Sequence, residues 1–90
     1  MPYGSPLSDA QLRWMAGARI TEGRLPVIFP ALLRPRHGSG EVCRLCGGRI
    51  DRYRVEYQVT DARDGHDLSF HLVCYRHWQL ECQRLLAESD

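Results

Sequence analysis

Apolar positions along this chain follow three successive rhythms, each predicting a different element. Leu12, Met15, Ala16, Arg19 and Ile20 recur at i, i+3, i+4, i+7 and i+8, the stripe of an amphipathic helix interrupted only by Arg19. Its start is well marked: Ser8 is a natural N-cap, Gln11 stands three residues on to close a capping box, and Leu7 and Leu12 occupy hydrophobic-staple positions. Gly23 offers a C-terminal cap and Pro26 blocks continuation, so the helix is predicted at about 9 to 22.

Residues 24 to 42 carry Pro26, Pro30, Pro35, Gly38 and Gly40, a spacing that predicts an extended connector with neither helix nor ladder. Its apolar part, Val27 to Leu33, needs a surface to lie on, whereas the His37 to Gly40 piece reads as flexible. Beyond Ile50 the period becomes two. Val55, Tyr57 and Val59 alternate with Arg54, Glu56 and Gln58, an Asp64-Gly65 turn follows, and Leu68 and Phe70 alternate with Asp67, Ser69 and His71. This predicts a β-hairpin. Tyr75, Trp78, Cys82 and Leu85 then fall at i, i+3, i+7 and i+10, with Arg84 and Glu88 paired outside, predicting a second helix at about 72 to 87. Trp14 and Trp78 are expected to pack in the core or between helices.

Composition narrows the class. Ninety residues, 43% of them apolar and 26% charged, make one small domain, and a chain of this size buries only about 60% of its unfolded surface. Some added restraint is expected. The N-terminal segment has neither a basic nor an apolar leader region and no long apolar run follows, so neither export signal nor membrane span is expected. A reducing cytoplasm is the expected location, where cysteines serve as metal ligands more often than as disulfides.

Four cysteines supply the restraint. Cys43 and Cys46 form C-x2-C followed by Gly47-Gly48, and His71 and Cys74 follow after 24 intervening residues, giving C-x2-C-x24-H-x2-C. Three thiolates and an imidazole suffice for tetrahedral zinc. The C-x2-C turn points two sulfurs at one spot, and Cys74 in a first helical turn meets the positive end of the helix dipole. His77 is the alternative nitrogen ligand, since Cys74 and His77 also make a C-x2-H pair. Cys82 reads as a buried apolar thiol, and His37 and His66 as solvated loop histidines.

The order of knuckle, hairpin and helix resembles a treble-clef zinc finger. More narrowly, CRLCGGRI followed by SFHLVCYRHW resembles the first zinc site of a LIM domain, over about residues 43 to 82. The resemblance implies that Cys43, Cys46, His71 and Cys74 are the ligands. A LIM domain continues into a second C-x2-C site and this chain does not, so it corresponds to half of one. The whole chain, including Ile20 to Pro26, is similar to small bacterial proteins of unassigned role.

The expected fold is therefore α+β: residues 1–33 as a helix and apolar connector packed on the module or on a partner, and residues 34–90 as a single-zinc treble-clef-like module. A closed four-ligand site cannot activate water, so the expected role is structural, and removal of the metal is expected to unfold the C-terminal half. A non-enzymatic module binding another protein in a regulatory role is the leading expectation, with homodimerisation through the first helix a further option. Residues 34–54 hold six arginines and two acids, net +4, against net −4 for residues 55–90, where three arginines meet seven acids. Arg34, Arg36, Arg44, Arg49, Arg52 and Arg54 are thus the candidate contacts for the alternative partner, nucleic acid, although the acidic C-terminal stretch is expected to repel phosphate. A nuclease of the HNH type, invited by His66, His71 and His77, is the least favoured reading because the chain contains no Asn.

Overall fold

A computed structural model describes residues 7–89; residues 1–6 and residue 90, the outer ends of the two predicted segments, lie outside the described residues. Helix α1 (Asp9–Thr21) begins as its sequence dictates, with the Gln11 amide donating to the Ser8 hydroxyl and the Ser8 amide donating to the Gln11 side-chain carbonyl. It ends on Gly23, whose φ of 78° supplies the left-handed residue that lets the next amides bond back to the last turn. Leu12 and Ala16 face inward.

Three antiparallel strands follow, β1 (Arg34–His37), β2 (Val55–Thr60) and β3 (Asp67–Phe70), in the order β1-β2-β3. The β2–β3 hairpin is the predicted one, turning through Asp61 to His66 with Gly65 at φ 79°. Strand β1 overturns the expectation of a ladder-free connector. Arg34 pairs with Gln58, Pro35 with Tyr57, Arg36 with Glu56 and His37 with Val55. Pro35 is tolerated because β1 is an edge strand: the Gly38 amide bonds to the Arg54 carbonyl, so amides of the opposite parity, where Pro35 stands, point away from β2. The piece expected to be flexible is also fastened. Gly38 donates to Arg54, Ser39 to the Glu56 carboxylate and Gly40 to Ile50.

Helix α2 (Leu72–Glu88) packs on α1 and on β2 and carries the centre of the core. Trp78 is fully buried and stacks on Phe70 with ring centroids 4.9 Å apart, and Tyr75 meets both rings edge-on. The apolar connector runs antiparallel along this helix, held by side chains of α2. Trp78 Nε1 donates to the Pro26 carbonyl at 3.0 Å, and the buried Gln79 amide donates to Ile28 O and accepts from the Ala31 amide. The Tyr75 hydroxyl donates to Ala31 O. Leu12, Ala16, Leu25 and Ala31 join Val59, Leu68, Phe70, Trp78 and Cys82 in one apolar cluster, so the N-terminal helix and connector share the interior of the sheet and second helix.

One further expectation is corrected here. Trp14 is 73% exposed, on the side of α1 opposite Leu12 and Ala16. The alternation in β2 does not sort the strand into an apolar inside and a polar outside: Val55 is exposed and Glu56 is fully buried. The Glu56 carboxylate stays inside because the Ser39 amide and hydroxyl, the Ser69 hydroxyl and the Gln58 amide all donate to it, at 2.6 to 3.1 Å. Among the described residues no helix is long and apolar enough to cross a membrane.

Candidate metal centre

Residues 42–50 form a tight knuckle closed by a Val42–Arg49 bridge. Inside it the Cys43 amide donates to Gly48 O and the Gly47 amide to Cys43 O, which turns the chain back within five residues. Gly47 sits at φ 79°, a conformation its neighbours with side chains would resist. The Gly48 amide points at the Cys46 sulfur, 3.4 Å away. The knuckle is sewn to the hairpin where the Arg44 amide donates to Ser69 O, one residue before β3 ends.

The opposite side of the centre comes from the start of α2. His71 is the N-cap residue, with extended backbone and no side-chain capping bond, so its ring is free to turn toward the knuckle. Cys74 lies in the first helical turn. The ligand atoms of Cys43, Cys46, His71 and Cys74 all lie within 4.8 Å of one another. His71 Nδ1 is 3.4 Å from the Cys46 sulfur and 3.9 Å from that of Cys74. Zinc with its usual bond lengths would hold tetrahedral sulfur and nitrogen ligands about 3.5 Å apart, so the four side chains fit one ion of that kind. The other ring nitrogen, Nε2, is 3.3 Å from the Arg49 carbonyl, which fixes the tautomer that leaves Nδ1 unprotonated and facing the sulfurs. Cys43 and Cys74 are buried, while Cys46 and His71 are half-buried.

The thiols oppose one another electrostatically. Hydrogen bonds from Cys43 and Cys74 hold the Cys46 thiol far below the usual range. Cys43 is raised by its hydrogen bond to Cys46 and by burial, and Cys74 by its bonds to Cys43 and Cys46 and by burial. One thiolate makes the next two costly. A divalent cation at the centre reverses that balance, and a set of three sulfurs and one nitrogen is the chemistry of a closed zinc site.

The other sequence candidates are placed elsewhere. His77 points away from the cluster to Asp9, with Nε2 3.2 Å from the carboxylate. Cys82 is buried beneath the connector, its sulfur 3.7 Å from Pro26 O. His66 sits exposed in the hairpin turn against Asp64, and His37 is exposed on β1. The six arginines do not act as one stripe. Arg34 pairs with Asp67 at 2.9 Å and bonds Thr60, Arg49 donates to Gly40 O, and Arg52 lies over the Tyr53 ring. Arg36 lies on β1 opposite Glu56, Arg54 lines a groove beside His71, and Arg44 faces the end of α1.

The acidic C-terminal stretch also changes meaning. Glu56, Asp61 and Glu81 are buried and turned inward, Asp61 onto Arg63 and Glu81 onto Arg84. Asp64, Asp67 and Glu88 remain at the surface. Sequence reasoning missed the Arg49 carbonyl, because a backbone acceptor leaves no trace in residue type. It also missed the arginines that meet across the knuckle, which are 20 or more residues apart. No protein-family description, curated protein or solved structure matches this chain significantly.

Proposed function

We propose that this chain is a structural-zinc module of the treble-clef kind, corresponding to the first half of a LIM domain, and that it works without catalysis as a docking element for another protein. One observation carries the reading: three sulfurs and an imidazole nitrogen, all from the chain itself, stand within 4.8 Å of one another. Four protein ligands complete the shell of a tetrahedral ion, leaving no position at which water could be activated. Knuckle ligands before a hairpin and two more at the following helix support the treble-clef assignment. Of the histidines that suggested a nuclease, His71 belongs to the metal cluster, His77 to Asp9 and His66 to a surface turn, so they do not converge. Reduced thiols suit a cytoplasmic location.

A protein partner is supported by apolar side chains left on the surface, Leu72, Val73 and Leu80 on α2 and Trp14 on α1. Native mass spectrometry of the untagged protein, with circular dichroism before and after chelation, tests the reading. One zinc per chain and loss of tertiary signal on chelation are expected. A chain that is ordered and metal-free overturns it.

A further inference from the structure

A second cluster of like chemistry lies on the far side of the knuckle. A cleft of about 420 Å³ runs between the knuckle and the C-terminal end of α1, lined by Arg19, Arg24, Val42, Cys43, Arg44 and Gly47. Three arginines from two separate segments line it, in a chain whose whole net charge is +1. Their internal neutralisation is incomplete. Glu22 is the one carboxylate within ion-pair reach, at 3.8 Å from Arg19 and 3.5 Å from Arg24, and it is half exposed. Both separations exceed the 2.7 to 2.9 Å or so of a charge-assisted hydrogen bond. The Arg44 side chain has no hydrogen bond or ion pair among the described residues. Three positive charges less Glu22 and less the single negative charge of a zinc centre with three thiolates leave +1.

The walls are held from outside the cleft. Arg63 spends its guanidinium on Asp61 and on the carbonyls of Gly23 and Arg24, clamping the end of α1 to the hairpin turn. The opposite wall is the knuckle that the metal cluster organises. The arginines are thus presented by two anchored segments rather than by loose loops, which lowers the ordering cost of binding.

We propose that this cleft is a binding site for a phosphate group, with Arg44 facing Arg19 and Arg24 across the anion. A phosphomonoester carries about −1.5 to −2 at neutral pH and presents three terminal oxygens, which suit the forks of three guanidiniums. A carboxylate offers only two oxygens to the three. The site rests on the zinc reading, because Cys43 and Gly47 form one wall. The phosphate has two sources, a free phosphate or nucleotide with its doubly charged monoester and a nucleic-acid strand with its singly charged diesters.

The test uses untagged, zinc-loaded protein whose metal content is read by native mass spectrometry on the same sample. Inorganic phosphate is titrated by 31P NMR, and a fluorescent single-stranded oligonucleotide without a terminal phosphate by anisotropy at two salt concentrations. Variants R24Q and R44Q are compared with R76Q, which alters an exposed arginine on α2 remote from the cleft. Binding of phosphate identifies the free group as the source, and binding of the oligonucleotide alone, with a steep salt dependence, identifies a strand. In either case R44Q should weaken binding about tenfold or more, with R76Q unchanged and unliganded melting of R44Q unchanged. Zinc-loaded protein that binds neither probe, or an R44Q variant that binds like wild type, overturns the cleft and leaves the metal site intact. A sample without zinc overturns the metal reading first, and the knuckle wall with it.

Discussion

Replacing His71 and His77 one at a time separates metal ligation from helix packing. Zinc binding in finger peptides is worth on the order of 10 to 16 kcal/mol, so each of four ligands carries roughly 3 kcal/mol and its loss weakens metal affinity about a hundredfold or more. His71→Ala removes Nδ1 from the cluster and the 3.3 Å contact of Nε2 with Arg49 O, the latter worth only about 0.5 to 1 kcal/mol at a half-buried position. It sacrifices no helix cap, because the His71 side chain makes no capping bond. His77→Ala removes a 3.2 Å polar contact with Asp9, whose side chain is 85% exposed, and a contact of this kind contributes about 0.2 to 1 kcal/mol. Competition against a chromophoric chelator measures zinc affinity for each variant, and urea unfolding in excess zinc measures stability. His71→Ala should lower zinc affinity by two orders of magnitude or so, and His71→Cys should restore most of the affinity. His77→Ala should leave zinc affinity unchanged. The reverse ranking, or a His71→Cys variant no better than alanine, refutes the ligand set.

The connector lock and the buried carboxylates give two further tests. Gln79→Met keeps the volume but leaves the Ile28 carbonyl and Ala31 amide without their partners; a loss of about 2 to 4 kcal/mol is expected, read as a urea midpoint lower by on the order of 2 M, with zinc stoichiometry unchanged. Hydrogen bonds from Arg63 hold the Asp61 carboxyl below its usual range; at Glu56 burial pushes the other way and is more than offset by bonds from Ser69 and Ser39. Both folded values therefore lie below those of the unfolded chain, so their stabilisation is complete above about pH 5 and is lost as pH falls through the depressed values. Asp61→Asn should be less stable than wild type at pH 7 and, in excess zinc, should show a shallower fall in stability as the pH drops below about 5; a fall as steep as that of wild type counts against the assignment.

What could be read from the sequence was what residue type encodes locally. The Ser8 and Gln11 caps, the C-x2-C knuckle and the alternating hairpin each place their chemistry within a few residues, and the structure places them as expected. Strand β1 was hidden because its reason to be extended lies in β2, some 20 residues on, while Pro35 argued locally against a ladder. Burial of Glu56 was hidden for the same reason, since Ser39 and Ser69 that satisfy it are distant in sequence. Trp14 is different. It stands two residues from Leu12, about 200° round the helix, so the stripe that defined α1 already put it on the outside.

Helix α2 connects the two fastenings and sets what loss of metal can do. Its first turn supplies Cys74 to the centre, and its later turns supply Tyr75, Trp78 and Gln79 to the connector. The second set uses neutral hydrogen bonds and ring stacking that need no ion. The knuckle has less of its own: beyond the bonds within its turn it is joined to the rest through Arg44 and Ser69, through bonds of Ile50 and Arg49 to Glu41 and Gly40, through the His71 ring on Arg49 O, and through the burial of Leu45 and Ile50. Loosening after chelation should therefore begin at residues 42–50 and the start of α2, with the Trp78 cluster and connector following only if the remaining core is too small to stand alone. In that order of events the cleft between the knuckle and α1 opens before the fold is lost, so metal occupancy would govern the phosphate site through one of its walls.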